Sequence, residues 1–151
     1  MDYYTLSLAQ GKNSYFVAGV KNLKTLRLDN SKMYVDMNSS ENILGFKDDK
    51  NHKYIHIGNR SEALVKLSKN MHDTKAYLVS TNAAILKNEK EEDGFSMELS
   101  SYLPIRLELN IPKNCHYQFT NIAPTITKKG NIISFSYKYK TKVGFNVKCK
   151  P

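Results

Sequence analysis

"SYLPIRLELNIPKNCHYQF", residues 101–119, is the stretch on which the fold turns. Ile105, Leu107, Leu109 and Ile111 recur at every second position, with Arg106, Glu108 and Asn110 between them. That period belongs to a strand with one face in a core and one in water; a helix would space its apolar residues by three or four. Pro112, Lys113 and Asn114 then supply turn chemistry, and "CHYQFT" (115–120) begins a second run. The stretch reads as strand, turn, strand.

The same pattern extends outward in both directions. Leu6 and Leu8 follow Tyr4, Leu26 precedes Leu28, and Met33, Val35 and Met37 alternate. Ile55 and Ile57 repeat the spacing, as do Phe95, Met97 and Leu99. Near the end come Ile133, Phe135, Tyr137 and Tyr139, then Val143, Phe145, Val147 and Cys149. Turn-forming clusters such as "DNSK" (29–32), "DDKN" (48–51) and "KKGN" (128–131) separate the runs. "ILKNEKEEDGFSMEL" (85–99) reads as a hairpin with an acidic tip, and "SEALVKLSKNM" (61–71) as a strand rather than a helix. Many short strands at this spacing predict an all-β antiparallel sandwich, jelly-roll-like in type. With 151 residues and no linker-like or repeated tract, residues 1–151 read as one domain.

Two cysteines occupy strand ends, Cys115 at the start of one run and Cys149 at the end of another. Side by side they would close a loop of about 33 residues, a staple of ~3–4 kcal/mol in the chain-entropy picture. A bond there implies an oxidising compartment; the alternative is a pair of small buried thiols.

Composition narrows the function classes. The formal charge is +9, yet only Arg27, Arg60 and Arg106 are arginines. Specific nucleic-acid readers lean on arginine forks, so nucleic acid is disfavoured as a partner. From Lys128 onward there are seven lysines and no acid, which suits solvated edge strands or an anionic partner. No apolar run reaches the ~20 residues of a membrane span. The first residues lack the layout of a secretory signal, which fits a cytoplasmic chain or a domain taken from a longer exported one.

Catalytic signatures do not emerge. His52, His56, His72 and His116 form no HExxH, no CxxC accompanies them, and the seven glycines make no phosphate loop. There is no GxSxG elbow, and Glu89, Glu91, Glu92 and Asp93 cluster at a hairpin tip rather than in a groove. No catalytic residue, metal or cofactor is assigned. The ten tyrosines are more suggestive, because rings on a wet sheet face stack on sugars. Tyr34, Tyr54 and His56, on the polar sides of alternating strands, are the candidate ligand-binding residues.

Three stretches also carry a family resemblance. "KTLRLDNSKMYVDMNSSENILGFKDDKNHKYIHIG" (24–58) has an aliphatic strand, a glycine-aromatic step and a Tyr-x-His strand. "KAYLVSTNAAILKNEKEEDGFSMELSSYLPIRLEL" (75–109) adds a hairpin, and "KNCHYQF" (113–119) with "VKC" (147–149) closes the set. Together they resemble the C-terminal β-sandwich of Pel-type bacterial exopolysaccharide deacetylase and hydrolase proteins, over roughly residues 24–149. The resemblance implies a non-catalytic carbohydrate-binding or scaffolding module of a periplasmic or exported biofilm-polysaccharide enzyme, whose chemistry resides in other domains. The alternatives are a protein-interaction domain that packs on a neighbouring domain or secretion partner, and a basic nucleic-acid-binding barrel.

Overall fold

The computed structural model describes residues 7–11, 14–18, 25–29, 32–49, 52–58, 62–70, 74–120, 123–138 and 142–150. Tyr4, Leu6, His72 and Tyr139 lie outside the described residues. Fifteen strands are found among the described ones, paired antiparallel. The chain is all-β, an antiparallel sandwich. Its strands gather into two compact units, Met1–His72 and Asp73–Pro151.

The first unit holds β1 (Ser7–Gly11), β2 (Ser14–Ala18), β3 (Thr25–Asp29), β4 (Tyr34–Val35), β5 (Ile43–Asp49), β6 (His52–Ile57) and β7 (Glu62–Ser68). One hydrogen-bonded run is β1-β2-β7-β4; in the other, β6 lies between β5 and β3. Val35, Ala63 and Val65 from the first run are buried, as are Leu26, Leu28, Phe46, Ile55 and Ile57 from the second. Within the stretch 61–71, Glu62–Ser68 forms a strand in which Ala63 and Val65 alternate inward.

A turn stitches β4 to β7. The Asp36 carboxylate accepts from the Asn38 and Ser39 amides at 3.0 and 3.3 Å. Buried Ser40 donates its hydroxyl to the Asp36 carbonyl at 2.7 Å and accepts from the Lys66 amide at 2.9 Å. Each polar group so enclosed has a partner, as burial demands. Lys53 follows the same rule on the inward side of β6: it is 7% exposed and its ammonium sits 2.7 Å from Asp48.

The second unit holds β8 (Tyr77–Thr81), β9 (Ala84–Glu91), β10 (Gly94–Ser100), β11 (Arg106–Asn110), β12 (Cys115–Phe119), β13 (Thr125–Lys129), β14 (Ile132–Ser136) and β15 (Lys142–Cys149). The runs β13-β14-β11-β8 and β12-β15-β10-β9 face each other through aromatic rings. Phe135 of β14 meets both Tyr117 and Phe119 of β12, with ring centroids 4.9 Å apart in each case. Phe119 also touches Phe145 and Tyr137, and burial raises the Tyr137 phenol above its ordinary pKa. Such tilted ring pairs add specific attraction to the area they bury.

The opening stretch sits centrally. β11 pairs with β14 on one side and β8 on the other, with Leu107 and Leu109 buried and Arg106 exposed. After it, Cys115 and Cys149 stand opposite one another in register and are joined by a disulfide, Cα to Cα 3.8 Å. The acidic tip is also in place: Glu91 pairs with Gly94, leaving Glu92 and Asp93 as an exposed two-residue turn.

Candidate functional site

The half-buried aromatics of β6 give the first unit its most distinctive polar surface. Along "HKYIHI" the burial alternates: Lys53, Ile55 and Ile57 turn inward, while His52, Tyr54 and His56 remain half-exposed on the outer face. A strand allows no other division, since successive side chains take opposite faces. The His52 and Tyr54 rings are 6.2 Å apart and tilted by 58°.

Register decides what flanks these rings. Tyr54 lies directly opposite Arg27 of β3 and Lys47 of β5, so one aromatic stands between two cations across three strands. Both cations are exposed. At the next outward position, His56 opposes Thr25 and Gly45, with its Nδ1 3.5 Å from the Thr25 hydroxyl. Two positions the other way, His52 opposes Asp49, which is also exposed. The face therefore offers a ring for stacking, hydroxyl and imidazole hydrogen-bonding groups, and a cation on either side.

Of the three residues picked from sequence, Tyr54 and His56 share this face and Tyr34 does not. Tyr34 belongs to β4, which pairs with β7 in the other run, so it is not on a strand neighbouring β6. Alternation assigned its exposure correctly, 41%, but alternation carries no information about which strand pairs with which. For the same reason Arg27 and Lys47 were missed. Each reads as an ordinary exposed charge until the pairing of β6 with β3 and β5 is known.

Other candidates disperse. Lys128 and Lys129 lie on edge strand β13, whereas Lys142 and Lys148 lie on β15 in the opposite sheet, so these lysines form no single stripe. Among the described residues no three His, Cys, Asp or Glu side chains gather as metal ligands, and no helix is long and apolar enough to cross a membrane.

The second unit has a different feature in the loop between β10 and β11. Tyr102 is 92% exposed and Leu103 66%, with exposed Pro104 beside them. Asn82 fixes the base of this loop by accepting from the Arg106 amide at 2.8 Å and donating to the Pro104 carbonyl at 3.0 Å. The Leu103 amide donates to the Ser101 hydroxyl at 3.0 Å. An apolar tip on a hydrogen-bonded base is suited to meeting another protein.

Comparison with protein-family models, with curated proteins and with solved structures gave no match.

Proposed function

We propose that the chain is a non-catalytic carbohydrate-binding module, with the outer face of β5, β6 and β3 as its glycan platform. The observation that carries this reading is the placement of Tyr54. Its half-exposed ring occupies the middle strand, and polar side chains from both neighbouring strands lie within reach of a stacked sugar. Stacking supplies apolar contact, and the flanking groups supply hydrogen bonds to hydroxyls. A shallow sheet face buries little ligand, so binding is weak, roughly micromolar to millimolar.

The resemblance to the C-terminal sandwich of exopolysaccharide deacetylases supports placing the module in a larger polysaccharide-processing protein. The Cys115–Cys149 disulfide supports a periplasmic or exported location, where such bonds persist. Titration of neutral oligosaccharides against wild type and Tyr54→Ala, at low and high salt, is the test. Weak binding that survives salt and is lost in the variant supports the platform; binding unaffected by Tyr54→Ala removes it.

A second reading, a protein-interaction domain, is favoured by the Tyr102–Leu103 tip alone. Silence of the wild-type chain toward every glycan would move the weight there.

A further inference from the structure

We infer that the glycan taken by this face is acidic: a sparsely carboxylated polysaccharide whose carboxylates meet Arg27 and Lys47 on either side of a sugar stacked on Tyr54. The inference rests on the glycan reading and names its ligand class.

Three observations lead to it. The first is the row itself. Arg27 and Lys47 are each one strand removed from Tyr54, so their backbones stand two strand spacings apart, roughly 10 Å. Both side chains are long enough to lean toward a sugar centred on the ring between them. A polymer crossing the strands would present successive sugars to Arg27, Tyr54 and Lys47 in turn. The guanidinium can hold a carboxylate through two parallel hydrogen bonds, and the ammonium contributes a point charge.

The second is the sign of the chain. At +9 the protein draws in polyanions and repels amine-bearing, deacetylated sugars. Among charged glycans, only the acidic class is attracted both by the whole molecule and by this row.

The third separates a carboxylated glycan from a nucleic acid. Asp49 is exposed on the same outer face, two residues beyond Lys47. A backbone with a phosphate at every unit meets this carboxylate wherever it lies across the face. A polymer with charge only at intervals can set its neutral portions there. The row also holds a single arginine, fewer than nucleic-acid readers employ.

Oligogalacturonides methyl-esterified on about every second sugar, so that free carboxylates occur only at intervals, and their fully methyl-esterified counterparts make the discriminating pair, because they share a backbone and differ in charge. They are titrated by calorimetry against the full chain, with oligothymidylate as a third ligand. The variants are Tyr54→Ala and the double variant Arg27→Gln/Lys47→Gln, whose exposed positions leave the fold in place, as circular dichroism and thermal melting check. The expected result is that the acid form binds about tenfold tighter than the ester at low salt, a preference that shrinks as salt screens it. The double variant reduces the acid to the affinity of the ester, and Tyr54→Ala weakens both forms alike. Equal binding of acid and ester overturns the inference while leaving the glycan platform standing. Binding of neither form removes the platform and the inference together. Oligothymidylate bound more tightly than the acid form, and lost in the double variant, overturns the inference in favour of a nucleic-acid face.

Discussion

Cys115 and Cys149 form a register pair that exchanges no backbone hydrogen bond. The Cys149 amide donates away from its partner to the Asp93 carbonyl at 2.6 Å, and the Cys115 amide turns back to Pro112 at 2.9 Å. The hydrogen bond of this ladder lies one position outward, from the Lys150 amide to the Asn114 carbonyl at 2.7 Å. Non-bonded pairs of an antiparallel ladder bring their side chains closest, which is where a short bridge between directly opposed cysteines fits. The bond therefore pins the open ends of β12 and β15, the strands that carry Phe119 and Phe145 into the aromatic core.

From this pairing we expect reduction, or the double substitution Cys115→Ala/Cys149→Ala, to cost ~3–4 kcal/mol through the freed unfolded chain. Urea titration with and without reductant measures it. Intact mass before and after alkylation gives an independent check. Two free thiols in unreduced protein from an oxidising compartment would sink the assignment.

Leu107 is 2% exposed on β11, between β14 and β8, and Leu107→Ala removes a side chain that the core cannot readily replace. The expected loss is ~2–5 kcal/mol from transfer and cavity terms. A loss under about 0.5 kcal/mol, the scale of surface substitutions, would remove Leu107 from the core.

Much of this was legible in the sequence because burial follows alternation. Ile55 with Ile57, Leu107 with Leu109, and Val143 with Phe145 and Val147 all turned inward as their period demands. Alternation failed where a strand does not have one wet face and one dry one. Tyr77, Leu78 and Val79 of β8 are buried in succession, and β13 is exposed at all five positions. Neither carries a period-two signature to read. The candidate site was half legible for a related reason. Period two placed Tyr54 and His56 on one face, but only register reveals Arg27 and Lys47 as their neighbours and separates Tyr34 from them.

Two glycines are required for opposite reasons, and their alanine variants should separate accordingly. Gly94 opens β10 where a Cβ would run into the Val147 carbonyl oxygen and the Lys148 backbone of β15. Main chain cannot swing aside as a flexible side chain can, so Gly94→Ala must push β10 from β15 beside the disulfide. Gly130 closes the β13–β14 hairpin with φ +61° and open space around it, so only the backbone conformation resists a side chain. Gly130→Ala is therefore expected to cost about 1 kcal/mol, and Gly130→Asn less, because asparagine tolerates the left-handed region. Gly94→Ala, which overpacks against main chain, is expected to cost about 1–3 kcal/mol. Gly94→Asn should recover nothing, since its Cβ meets the same oxygen. Thermal or urea unfolding of the four variants checks the ranking. Gly94→Ala proving milder than Gly130→Ala would mean that β10 and β15 do not approach as closely as described.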